Sequence, residues 1–146
     1  MPDIDTDLFE TADLIETKCA TISGFDTLRI VVNRDKDLEA EINKGIGKGE
    51  GGVLIIDIQD GDPTEPGSLS LDNDYLLSIW TIPLLRKEAG KPLASTLLVS
   101  LIRALNHFKP RERANPMARL EFTGWAKTPS KTYNILAATF RLKEHL

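Results

Sequence analysis

The densest run of potentially reactive side chains lies between Asp57 and Asp74, where Asp57, Asp60, Asp62, Glu65, Asp72 and Asp74 supply carboxylates. Carboxylate oxygens are the usual ligands of Mg²⁺ and Ca²⁺, so the run invites a cation site. A calcium loop alternates its oxygen ligands around a central glycine and closes on a glutamate, which this spacing does not do. A metal-dependent nuclease would combine Asp57 on a strand with an acidic residue and a lysine on the next strand, and no Glu-X-Lys follows in that place. The carboxylates therefore read as solvated loop residues, with a metal-dependent hydrolase or nuclease using Asp57–Asp74 as the competing class.

The segment Gly45-Ile46-Gly47-Lys48-Gly49-Glu50-Gly51-Gly52 raises a second chemistry, phosphate binding. A phosphate-binding loop follows a strand, precedes a helix, and ends in Gly-Lys followed by Ser or Thr. Here Gly49 follows Gly47-Lys48, and the segment leads into a strand, so its amides would not gather at a helix N-terminus. A flexible surface loop is the expectation. His107 and His145 have no evident Ser, Cys or Asp partner in the sequence, so neither marks a nucleophile–base pair. Cys19, the single cysteine, falls on the apolar stripe of a helix and reads as a small buried hydrophobe. No catalytic, cofactor or metal residue is assigned.

Formal net charge is −4, which disfavours non-specific attraction to nucleic acid unless basic residues segregate. Arg103, His107, Lys109, Arg111, Arg113 and Arg119 do fall close together, and read as a solvated helix end and its following loop rather than a phosphate patch. With 146 residues, a single domain with its own core is expected. The lone thiol, the absence of a basic-then-apolar opening and the lack of a long apolar run predict a soluble, cytoplasmic protein with no membrane contact.

The elements that would position these residues follow from periodicity. Leu8, Ala12, Ile15, Cys19 and Ile22 keep helical spacing after Asp5 or Thr6 as cap, with Gly24 as the stop. Leu28, Ile30 and Val32 alternate as a short strand. Lys36 to Ile46 forms a weaker helix whose apolar face is Leu38, Ile42 and Ile46. Val53 to Gln59 is apolar enough to be a central strand covered on both faces, Asp60 to Gly67 breaks regular structure, and Tyr75 to Leu85 resumes as a strand whose far end, at Pro83, lies at an edge or leaves the sheet. Pro92 to Phe108 is the clearest helix, with proline in its first turn and Leu93, Leu97, Leu98, Leu101, Ile102, Leu105 and Phe108 on one face. Two closing strands form a hairpin. In the first, Leu120, Phe122, Gly124 and Ala126 alternate with Glu121, Thr123 and Trp125. In the second, Leu136, Ala138, Phe140 and Leu142 alternate with Ile135, Ala137, Thr139 and Arg141. The order predicts an α+β fold: a mainly antiparallel sheet of about five strands with two principal helices on one face.

Apolar residues also fall on the second sheet face, at Ile79 or Trp80, Trp125, Tyr133, Ile135 and Ala137. Either the weak helix or a loop covers them, or another subunit does.

The N-terminal helix, the Val53–Gln59 and Tyr75–Leu85 strands, the Pro92–Phe108 helix and the closing hairpin through Tyr133-Asn-Ile-Leu-Ala-Ala-Thr-Phe-Arg-Leu resemble the layout of tail-terminator and tail-completion proteins of long-tailed bacteriophages. The resemblance covers most of the chain but includes no short motif, so it transfers no individual residue. It implies a non-enzymatic subunit of phage or prophage origin that forms a ring, caps the tail tube and contacts other tail or neck proteins. On that reading the acidic Asp60, Asp62, Asp72 and Asp74 and the basic Arg103, Arg111 and Arg113, together with Trp125, are candidate contact surfaces. A monomeric ligand- or peptide-binding module using the second sheet face remains the third class.

Overall fold

The computed structural model describes residues 4–34, 38–46, 51–67, 70–111 and 117–145, with the side chains at positions 4–8, 41, 45, 60, 70, 144 and 145 left aside. In chain order the elements are α1 (Ile4–Ala20), a 3-10 turn (Phe25–Thr27), β1 (Arg29–Val32), α2 (Leu38–Gly45), β2 (Gly52–Pro63), β3 (Ser70–Thr81), α3 (Pro83–Glu88), α4 (Ala94–Leu105), β4 (Glu121–Thr128) and β5 (Asn134–His145). The strands form one five-stranded sheet in the order β1-β2-β3-β5-β4. Only β1 and β2 pair parallel; the other three pairings are antiparallel. The fold is α+β, as the sequence leads one to expect.

Period-two alternation sends one set of strand side chains to each face of the sheet. On the first face Leu54, Ile56, Tyr75, Leu77, Ile79, Leu136, Ala138 and Phe140 form the main core with Ala12, Ile15 and Cys19 of α1 and Leu97, Leu101 and Leu105 of α4. Both principal helices thus pack on the same face. The 0–1% exposure of Leu97, Leu101 and Leu105 makes α4 a main anchor, each full leucine burial being worth about 1.5–3 kcal/mol. On the second face Val31, Val53, Ile55 and Ile42 form a smaller cluster, joined by Leu38, Ile46, Trp80 and Tyr133. The weak helix is therefore the cover for this end of the second face, and Val53 to Ile56 are buried on both sides.

Several boundaries differ from the sequence reading. The β2–β3 hairpin is longer than expected: β2 runs on to Pro63 and β3 starts at Ser70, so Asp60, Asp62, Asp72 and Asp74 lie in strands. The polarity of Asp62, Asp72 and Asp74 reflects a solvated strand face, not a loop. Of the two expectations at Pro83, leaving the sheet holds and lying at an edge does not: β3 ends at Thr81 and is central in the sheet, and Pro83 occupies the first turn of α3, where its missing N–H costs nothing. Pro92, expected inside the long helix, precedes it; α4 begins at Ala94 after an extended Leu93. α1 already includes Asp5 and Thr6, and its cap lies outside the described residues, as does Lys36 at the expected start of α2. Gly24 does not end α1 directly. It sits at φ +91° in the following turn, where an added Cβ would come within 3.1 Å of Pro92 Cγ and 3.2 Å of Leu97 Cδ2.

The glycine segment divides. Gly45 ends α2, residues 47–50 lie outside the described residues, and Gly51 and Gly52 are buried parts of the architecture. The Gly51 carbonyl accepts the Ile82 N–H at 2.9 Å. Gly52 lies under Leu28 and Arg86, where a Cβ would collide with the leucine.

Arg86 has no precedent in the sequence reading. It is fully buried on α3, with Nε donating to the Pro92 carbonyl at 2.9 Å, Nη1 to the Thr27 carbonyl at 3.3 Å and Nη2 to Thr27 Oγ1 at 3.0 Å. A buried charge is tolerated only when its donors are satisfied. Here the guanidinium ties α3, the 3-10 turn and the approach to α4 together.

Candidate functional site

The hairpin register assembles the acidic residues. Asp60 stands opposite Asp74 and Asp62 opposite Asp72 across β2–β3, on the second sheet face at the end away from α2. β5 then places Arg141 opposite Asp74 and Lys143 opposite Asp72, and β4 places Glu121 opposite Arg141. Like charges directly opposite destabilise a sheet, so the two β5 bases offset the acidic pairs. Arg141 Nε donates to Asp74 Oδ1 at 2.9 Å and Nη2 to Oδ2 at 3.2 Å, a two-pronged contact. The hydrogen bond to Asp74, that charge itself, and more distantly Asp72 and Asp62 raise the Arg141 pKa above its ordinary value. Asp57, nearer α2, accepts a hydrogen bond from Asn33 Nδ2 at 2.6 Å. Among the described residues no group of three or more His, Cys, Asp or Glu side chains converges as a cation site.

The basic residues are dispersed. Arg111 turns onto α1: Nε donates to Thr11 Oγ1 at 3.0 Å and Nη2 lies 3.7 Å from Glu10 Oε2. It holds the loop after α4 to the first helix, so the expected pairing of Arg111 with an external partner meets an internal commitment. Arg119 lies 3.7 Å from Glu121. Arg103 is exposed on the outer side of α4, and Arg113 lies outside the described residues. His107 is exposed with φ +70°, its N–H donating to the Leu120 carbonyl at 2.7 Å. Cys19 is buried, and that burial, with Glu16 adding to it and Lys18 opposing it, pushes its thiol from 9.0 up to about 12. A thiol so suppressed is a poor nucleophile.

The remaining candidate, Trp125, is 60% exposed on β4. Simple alternation puts it on the face opposite Phe122. A register shift between Phe122 and Gly124 inserts one residue, so Phe122 stands opposite Phe140 and Trp125 opposite Ala138, both on the helix-bearing face. Of the second-face residues noted in the sequence, Ile79 joins the main core, Trp80 and Tyr133 meet as a tilted pair with ring centroids 5.4 Å apart beside α2, and Ile135 and Ala137 are buried. Trp125 alone stands out.

β4 is one edge of the sheet and β1 the other. Beside β1, at the sheet edge next to α1, an open cleft of about 220 Å³ is lined by Asp13 and Glu16 from the helix and Arg29, Ile30, Val31, Val32 and Arg34 from the strand and its exit. Arg34 pairs with Asp13 and lies 5.1 Å over the Phe9 ring. Among the described residues no helix is long and apolar enough to cross a membrane. No family model matches the chain, and comparison with curated proteins returns no match.

Proposed function

We propose that the chain is a non-enzymatic assembly subunit that joins copies of itself head to tail, in the manner the tail-terminator resemblance implies, to form a ring at a phage or prophage head–tail junction. The observation that carries this reading is the pair of sheet edges, β1 and β4, each paired to a strand on one side only among the described residues. β1 runs parallel to β2, and each later pairing reverses direction, so β4 runs opposite to β1. Copies set side by side in one orientation would therefore pair β4 with β1 antiparallel and continue the sheet. One patch on one edge meeting a different patch on the other is the heterologous contact that closes rings.

The second-face apolar residues do not support the reading, because α2 and the sheet absorb them. The charged ladder of Asp62, Asp72, Asp74, Arg141 and Lys143 supplies a mixed-charge surface for choosing a neck or tail partner. It supports the metal-dependent alternative less, since bases face the carboxylates. Size-exclusion chromatography with light scattering across concentration tests the proposal. An oligomer of defined size is expected, and a strict monomer up to millimolar protein would overturn it.

A further inference from the structure

We propose that β4 pairs with β4 of a second copy about a two-fold axis at Ala126, and that this dimer restrains the head-to-tail contact, which needs the same edge; the restraint rests on the self-assembly reading above. The backbone locates the usable part of β4. In an antiparallel ladder, successive residues turn their N–H and C=O groups alternately to the two neighbouring strands. The Ile82 N–H donates to the Gly51 carbonyl, so the even-numbered residues of β3 face β2 and the odd-numbered ones face β5. Carried through β5 by its register, the alternation turns Gly124, Ala126 and Thr128 toward β5, and Trp125 and Lys127 toward the free edge. Phe122 agrees, its N–H leaving the sheet on the free side to donate to Asn106 Oδ1 at 3.2 Å. That bond and the Leu120–Phe108 pairing occupy the edge up to residue 122. Among the described residues, 124–128 are left unpaired on this side.

One register uses this stretch fully. An antiparallel partner bonds through residues whose groups face it, so Trp125 and Lys127 must meet Trp125 and Lys127. Lys127 opposite its own copy sets like charges together and leaves Trp125 opposite Pro129, which has no N–H to give. Trp125 opposite its own copy puts Lys127 against Thr123, the residue inserted at the bulge. Trp125 opposite Lys127 of the second copy makes both pairs at once, each exchanging two N–H···O bonds, with Ala126 facing itself on the axis.

The side chains choose the same register. Trp125 and Lys127 both lie on the helix-bearing face, opposite Ala138 and Leu136, and both are exposed. Lys127 has no ion pair or hydrogen bond among the described residues. In the dimer each ammonium reaches the indole opposite it, a cation–π contact that the two-fold repeats. A second copy of this strand is what returns the contact on both sides. An interface of five residues from each strand is smaller than the about 1,200 Å² of stable complexes, so the dimer exchanges readily. β4 cannot pair with β4 and with β1 together, and a contact that exchanges delays ring closure without preventing it.

A single engineered cysteine separates this contact from a head-to-tail one, since only a two-fold sets a residue against its own copy. Ala126 would face itself as a non-hydrogen-bonded pair with Cα atoms about 4.5 Å apart, within disulfide reach. Cys19 is buried and does not compete. In the intact chain, Ala126→Cys under oxidised glutathione is expected to cross-link to a dimer about tenfold faster, or more, than Thr128→Cys, which faces Gly124 of the second copy. Adding Lys127→Glu to Ala126→Cys should slow the cross-link about tenfold, and adding Lys127→Arg should not. The locked dimer should form nothing larger, and reduction should release it to assemble. Equal cross-linking at 126 and 128, or none, would overturn the β4–β4 contact. A locked dimer that assembles as readily as the reduced chain would overturn the restraint. A reduced chain that dimerises through residue 126 and never grows larger would overturn the head-to-tail reading and the restraint, and would support the β4–β4 contact.

Discussion

Arg86 Nη2 donates to Thr27 Oγ1 at 3.0 Å although the two residues are 59 positions apart, and the arginine is fully buried. Removing the guanidinium leaves the Thr27 and Pro92 carbonyls in a water-poor site without their donors. Arg86→Met should cost about 2–4 kcal/mol in urea unfolding, since orphaned buried acceptors and lost charge-assisted bonds both count against it. Arg86→Lys should recover only part of this, because an ammonium cannot span three acceptors with the planar fork.

Gly52 belongs to the same junction. Its missing Cβ is what leaves room for Leu28 and for the Arg86 guanidinium, whose Nη1 would sit 3.4 Å from such an atom. Gly52→Ala should destabilise by about 1–3 kcal/mol through overpacking. Gly67, whose Cβ would meet nothing within 4 Å, has no steric penalty, and its φ of +78° alone should make Gly67→Ala unfavourable.

Cys19 makes stability depend on alkaline pH. Its folded thiol is raised from 9.0 to about 12, chiefly by burial. Between those values the unfolded chain has lost the proton that the folded chain keeps. The contribution is therefore fully present below pH 9 and declines as pH rises toward 12, by at most about 1.4 kcal/mol per pH unit. Urea midpoints at pH 7, 9.5 and 10.5 should show a steeper fall in the native chain than in Cys19→Ala. The native thiol should react with a thiol reagent only on unfolding.

Arg111 bears on the monomer. Arg111→Glu removes the bond to Thr11 Oγ1 and sets like charge beside Glu10, and should cost about 1–2 kcal/mol of folding stability. Assembly measured under strongly native conditions should be unaffected. A selective loss of assembly with unchanged unfolding would contradict the internal role.

The charged ladder has a distinct salt signature. Arg141→Ala exposes Asp62, Asp72 and Asp74 to one another, whereas Asp74→Asn removes one member of that repulsion along with the ion pair. The arginine variant should be the less stable of the two in dilute buffer. The gap should narrow as sodium chloride rises, because screening acts on solvent-facing charges.

Much of the fold is visible in local pattern. The α4 stripe, the α1 stripe with Cys19 inside it, the doubly buried Val53–Ile56 run and the closing hairpin all follow from periodicity, because burial on one side of a helix or strand imposes its repeat on neighbouring residues. Local pattern misled where long-range pairing overrode it. Asp60 and Asp62 read as loop residues since nothing nearby reveals that Asp72 and Asp74 will stand opposite them, or that Arg141 and Lys143 will line up alongside.

Trp125 shows the same limit at a single residue. Its type and its place in a terminal hairpin were plain from the chain, but alternation assigned it the wrong face, since one inserted residue in a bulge reverses every later side chain. Composition and spacing by themselves determined the α+β class and the two packing helices. Which strands are edges, which way they run, that Arg86 is buried, and that Trp125 shares a face with the main core were decided only by tertiary structure. Those properties depend on pairings between residues tens of positions apart, and no local repeat encodes them.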